Sequence, residues 1–109
     1  MEIRLVYMTA GSRDEAGRIG KELVASGQAA CINIIDNMRS IYKWDGEIQE
    51  DKEVVIIAKT TEAKLPELIG TVKAMHSYDC PCILSLKISG GNSDFLNWIS
   101  DEVRRPDLL

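Results

Sequence analysis

His76, Tyr78, Cys80 and Cys82 form the densest group of potential ligands in the sequence. Thiolate and imidazole donors suit copper or zinc. The spacing His-x3-Cys-Pro-Cys is not that of a zinc finger, so the chemistry depends on what the fold brings alongside. If a fourth strand starting at Cys82 runs antiparallel beside the first, Met8 comes near Cys82. His76 then ends a helix at the same edge, and Cys80 lies on the connecting loop. Met8, His76 and Cys82 would converge. A purely structural reading stands beside this one. Cys82 shares its parity with Leu84, Leu86 and Ile88 and would serve as a small buried hydrophobe. Met8 would fill an interface, and His76 would interact with a helix carboxyl terminus.

Tyr42, Trp44, Lys59 and Tyr78 make a second group. In an assembly of several chains they would line a cleft between subunits, where Lys59 and Arg39 could meet a small anion. The alternative is that Tyr42 and Trp44 pack an interface and Lys59 is a solvated or salt-bridged strand end. Cys31 starts a strand at the opposite edge from Cys82. Three strand spacings, roughly 14 Å, keep the two from sharing an ion within one chain. Burial is the expectation for Cys31. With a single histidine, no nucleophile–base pair stands out, and no Gly-rich loop opens a helix in a phosphate-binding pattern. Gly90-Gly91-Asn92 reads as a turn into a capped helix. The expectation is a protein that is not an enzyme.

The elements that must position these residues follow from hydrophobic period and punctuation. Ile3 to Thr9 reads as a first strand. Ser12 and Glu15 have capping-box spacing, Ala16, Ile19, Leu23 and Val24 recur at helical intervals, and Gly27 supplies a stop, so a helix spans about 13–26. An apolar stretch from Ala30 to Ile35, interrupted at Asp36-Asn37, continues from Met38 to Trp44. Asp45-Gly46, a type I′ hairpin dipeptide, joins it to a third strand that is polar from Glu50 to Glu53 and ends in the run Val54 to Ala58. Helix two carries Leu65, Leu68, Ile69, Val72 and Met75. Pro66 conflicts with a start at Thr61, and a start at Leu65 removes the conflict. Strand four is Cys82 to Ile88. Asn92 caps a last helix with Phe95, Leu96, Ile99 and Val103 on one side. The order β-α-β-β-α-β-α predicts an α+β ferredoxin-like plait with an antiparallel sheet in the order 4-1-3-2. Residues 1–103 form one domain on this reading, and 104–109 a tail.

The chain has 109 residues, of which 45% are hydrophobic, enough for a core without disulfides. A net charge of −4 offers no basic field for nucleic acid or for an anionic membrane surface. Val54 to Ala58, the longest apolar run, is far short of a membrane span. Met1-Glu2-Ile3-Arg4-Leu5 does not read as a secretory signal, and three cysteines cannot all pair within one chain. The expected compartment is the cytoplasm, with the thiols reduced.

A two-layer plait covers one face of its sheet, and the open face should be polar. Here Val54 to Ala58 is apolar at both parities, as are Ile3, Leu5 and Tyr7 against Val6 and Met8. Such a patch is rarely left wet. A further copy of the chain is therefore expected on the open face. The long hairpin, with Tyr42, Trp44 and Ile48 on its distal half, is ready for strand addition to a neighbour.

The stretch Ser40-Ile41-Tyr42-Lys43-Trp44-Asp45-Gly46-Glu47-Ile48 resembles the CutA family of divalent-cation tolerance proteins. So do Ala29-Ala30-Cys31-Ile32-Asn33, Glu53 with the aliphatic run into Lys59-Thr60-Thr61, His76-Ser77-Tyr78-Asp79-Cys80-Pro81, and Gly90-Gly91-Asn92 with Leu96-Asn97-Trp98-Ile99. The resemblance covers roughly residues 3–103. It implies a ferredoxin-like homotrimer with a sheet architecture like that of the PII signalling proteins, and a role in tolerance of copper and other divalent cations. Where this chain has Met8 some relatives carry cysteine, and where it has Cys82 many carry glutamate. With His76, these match the positions usually suspected of holding a metal. The softer donors here would shift a site toward Cu(I). The alternative implied by the same architecture is a PII-like sensor or partner-binding trimer, with a small anionic ligand between subunits.

Overall fold

The computed structural model describes residues 2–104. Four strands and three helices follow one another as β1 (Ile3–Ala10), α1 (Arg13–Ala25), β2 (Cys31–Trp44), β3 (Glu47–Thr61), α2 (Leu65–Met75), β4 (Ile83–Lys87) and α3 (Ser93–Arg104). All pairings are antiparallel and the sheet order is β2-β3-β1-β4, the plait order expected. Arg104 closes α3 rather than opening a tail, and the rest of the expected tail, 105–109, lies outside the described residues.

Local signals set the element ends. The Ser12 hydroxyl accepts from Glu15 N–H at 3.1 Å and starts α1. Gly27, at φ +74°, ends it, and Gln28 N–H and Ala29 N–H both donate to the Leu23 carbonyl. A 3-10 turn, Glu62–Lys64, takes up the residues before Leu65, so Pro66 falls in the first turn of α2, where a missing N–H costs nothing. Asp45 and Gly46 both have positive φ, as a type I′ turn requires. A bulge interrupts β2 between Ile35 and Met38, with Asn37 at φ +63°. The fourth strand is shorter than expected. It starts at Ile83, and beyond Lys87 only the Ile88 N–H to Ile3 carbonyl bond, 3.2 Å, continues the ladder.

Val6, Met8 and Ala10 on β1 and Val54, Ile56 and Ala58 on β3 pack against Ala16, Ile19 and Leu23 of α1 and Leu68 and Val72 of α2. Helix α1 approaches β2 closely: a Cβ at Gly20 would lie 2.9 Å from Ile32 Cγ2. The third helix packs on β3 and β1, with the Phe95 ring centre 6.0 Å from Lys59 Nζ. Lys59 belongs to the opposite parity from Ala58, so α3 lies on the second face of the sheet and buries Ile99 and Val103. It does not cover that face. Leu84 is 59% exposed, Leu86 50% and Trp98 42%, and Ile35 is exposed as well. Among the described residues, no helix is long and apolar enough to cross a membrane.

Candidate functional site

The loop from His76 to Cys82 is fastened to the start of α1. The carboxylate of Glu15 is buried at the mouth of this loop. Its Oε2 accepts from Ser77 N–H at 2.7 Å, and its Oε1 accepts from Ser77 Oγ at 3.1 Å and from Gly11 N–H at 3.3 Å. Burial alone would push this carboxyl up. The Ser77 and Gly11 donors outweigh burial and hold it below the usual carboxylate range.

His76 caps α2 with its side chain wholly buried. Its Nε2 meets the Thr9 carbonyl at 2.7 Å, and its Nδ1 accepts from Tyr78 N–H at 3.1 Å. A carbonyl can only accept, so the ring proton sits on Nε2. Both nitrogens are thereby used, and neither presents a lone pair to an ion in this conformation. Glu15 Oε2 lies 3.5 Å from Nδ1.

Tyr78 stacks at a tilt on His76, ring centres 4.6 Å apart, and donates its O–H to Glu53 Oε2 at 2.8 Å. Ser40 donates to the other Glu53 oxygen, and Tyr42 donates to Asp51. Burial raises the Tyr78 phenol well above its ordinary value, reinforced by its hydrogen bond to Glu53 and by the charges of Glu53, Glu15 and Asp51. The hydrogen bond to Asp51 is the main cause of the raised Tyr42 phenol. Burial, then the Glu53 charge, pushes the Cys82 thiol up. Cys82 is half-buried and Cys80 exposed, and all three cysteines are free thiols.

The expected convergence of Met8, His76 and Cys82 does not form. Met8 pairs with Ile56 and Ile83 and is completely buried on the helix side of the sheet. Cys82 precedes Ile83 by one residue and is turned the other way, toward Glu53. Strand alternation therefore puts the sheet between the two sulfurs. Among the described residues, no three of His, Cys, Asp and Glu gather closely enough to hold an ion.

The second group also divides. Tyr42 and Tyr78 meet around Asp51 and Glu53, and Trp44 is exposed beside the hairpin turn. Lys59 is six residues along β3 from Glu53, about 20 Å away. Its ammonium donates to Asn33 Oδ1 and lies 3.7 Å from Cys31 Sγ. Arg39 is paired with Glu50, so it does not join Lys59 around an anion within one chain. Cys31 is half-buried rather than buried, at the sheet edge opposite β4. Glu15, Glu53, Ser40 and Asp51 are the site residues that sequence reasoning passed over. Glu15 carried a signal, its capping-box position, but that signal speaks for the helix end and not for a contact with Ser77.

Residues 4–102 match the family described as CutA1 divalent ion tolerance protein. The chain is 41% identical over 97 residues to the divalent-cation tolerance protein CutA of Thermus thermophilus, covering 89% of this chain and 94% of that protein. It is 37% identical over 100 residues to the chloroplastic protein CutA 1 of rice, covering 92% of this chain but only 56% of that longer one. The solved structure of the periplasmic divalent cation tolerance protein CutA from Archaeoglobus fulgidus superposes with a TM-score of 0.90 at 42% identity, covering 93% of this chain and 98% of that one.

Proposed function

Because the chain belongs to the CutA1 divalent ion tolerance family, we propose that it works as a non-enzymatic homotrimer that binds copper or another divalent metal ion. The observation that carries the metal reading is the half-buried Cys82 thiol beside the Glu53 carboxylate, with Cys80 exposed two residues away. On this reading Cys80 and Cys82 supply the donors and Glu53 a nearby negative charge. Met8 stays in the core, and His76 enters only if its ring leaves Thr9. The exposed apolar face of Ile35, Leu84, Leu86 and Trp98 supports the assembly, since covering it with other copies stabilises them by burial. The free thiols fit a reducing cytoplasm. Calorimetric titration of copper and zinc into the reduced protein tests the reading. Stoichiometric binding that Cys82→Ser weakens supports it, and no binding of either ion sinks it.

A second reading is a PII-like trimer with a small anion between subunits. It is favoured by the Lys59 ammonium, held by Asn33 on the same face as the exposed apolar patch. A thermal-shift screen of nucleotides and small anions separates it from the first. Stabilisation lost in Lys59→Ala supports this second reading, and no stabilisation by any of them removes it.

A further inference from the structure

Cys31 opens β2 and stands directly opposite Lys59 of β3. Opposed residues of an antiparallel pair share one face of the sheet, with their Cβ atoms about 4.5–5.5 Å apart. The Lys59 side chain turns back toward its partner strand. Its Nζ lies 3.7 Å from Cys31 Sγ, donates to Asn33 Oδ1 and stands 6.0 Å from the centre of the Phe95 ring. Among the described residues no carboxylate pairs with it. An amine is thus held against a free thiol by the register of two strands and by the Asn33 amide.

A thiol that meets peroxide becomes a sulfenic acid, which persists only until a nucleophile condenses with it. The common partner is a second thiol. Cys31 has none within reach in its own chain. Cys82 belongs to the opposite edge of the sheet, three strand spacings or roughly 14 Å away, and Cys80 shares its loop. The nucleophile at hand is the Lys59 amine. Cys31 is half-buried, which suits a small neutral oxidant better than a bulky one.

We propose that Cys31 and Lys59 are a peroxide-sensitive pair, closed by oxidation into a covalent N–S bond between β2 and β3. The Cys31 sulfur, its proton lost, attacks one oxygen of the peroxide. The O–O bond breaks, the S–O bond forms, and the leaving hydroxide takes a proton to become water. Lys59 gives one proton to solvent, and its nitrogen lone pair attacks the same sulfur. The S–O bond breaks, and the hydroxyl leaves as a second water with another proton of the amine. The sulfur is oxidised by two electrons and the peroxide is reduced to two waters. The bond removes the positive charge of Lys59 and ties the first residue of β2 to β3. No metal takes part, so the proposal stands apart from the ion-binding reading above.

The double variant Cys80→Ser with Cys82→Ser leaves Cys31 as the one thiol of the chain. Circular dichroism checks its fold. Treated with hydrogen peroxide in the presence of a chelator, its intact mass should fall by two hydrogens and return with dithiothreitol. A digest should hold the peptides of Cys31 and Lys59 joined. Lys59→Arg in the same background keeps the positive charge but lacks the amine, so Cys31 should there gain oxygen instead. Gain of oxygen with Lys59 present overturns the proposal. So does a loss of two hydrogens that survives Lys59→Arg, a doubled mass from a disulfide between chains, or a Cys31 that does not react with peroxide.

Discussion

The carboxylate of Glu15 accepts the backbone N–H of Ser77 at 2.7 Å, tying the first turn of α1 to a loop 62 residues away. Ser77 Oγ and Gly11 N–H complete the clamp. One side chain thus sets the position of the loop that carries Tyr78, Cys80 and Cys82.

Glu15→Gln should lower stability by about 1.5–3 kcal/mol, the range for hydrogen bonds to a charged group. Ser77→Ala, which keeps the backbone N–H and removes only the hydroxyl, should cost about 1 kcal/mol. Urea unfolding of both variants checks the order. Equal midpoints for Glu15→Gln and wild type would show that the clamp contributes nothing.

The same carboxylate predicts an acid limb. Folding holds Glu15 below its ordinary range, so the unfolded chain takes up that proton first as pH falls. The contribution is complete above the unfolded carboxyl value, about 4.3, and is lost as pH falls through the lower folded value. Thermal midpoints measured downward from pH 6 should fall less steeply for Glu15→Gln than for wild type. Parallel curves would assign the acid limb to other groups.

Two glycines of α1 should respond in opposite directions to alanine. A Cβ at Gly20 would lie 2.9 Å from Ile32 Cγ2, so Gly20→Ala overpacks the helix–sheet contact at a cost of about 1–3 kcal/mol. Gly17 faces open space, and Gly17→Ala should stabilise by about 0.5–1 kcal/mol through helix propensity. Denaturant midpoints of the pair give the comparison, and a stabilised Gly20→Ala would show that α1 can shift away from β2.

Leu84 and Leu86 test the assembly. Both are exposed on the face left open by α3. Leu84→Glu combined with Leu86→Glu should leave each chain folded, since neither side chain is in the core, and should dissociate the proposed trimer. Sedimentation should then give a particle of 12.1 kDa. An unchanged sedimentation coefficient would move the interface elsewhere.

The fold was legible because its signals are periodic and local. Helical spacing in α1, the Asp45-Gly46 turn and the alternation along β1 each fix an element without reference to the rest. The start of α2 was legible through Pro66, which tolerates only the first turn. The site was legible in part. Cys80 and Cys82 stood out by residue type. Whether Met8 faces Cys82 depends on register, and one residue decides it: the partner of Met8 is Ile83, so Cys82 belongs to the other side. The grip of Glu15 on Ser77 had no local pattern to announce it, because it forms only when α1 and the end of α2 are brought together.

The bulge at Asp36-Asn37 acts as a phase shifter for the long ribbon. From Ile35 to Met38, β2 advances three positions while β3 retreats two, from Val55 to Glu53. Odd-numbered residues of β2 look out beside Lys59 and Val55 before the interruption, and even-numbered ones look out beside Glu53 and Asp51 after it. That inversion is what turns Ser40 and Tyr42 toward the carboxylates. Excising Asn37 alone would restore plain alternation, with Asp36 opposite Val54 and Met38 still opposite Glu53, so Ser40 and Tyr42 would keep their carboxylates and only the local kink would go. Adding one residue to the regular stretch beyond Met38 would instead swing Ser40 and Tyr42 to the other side.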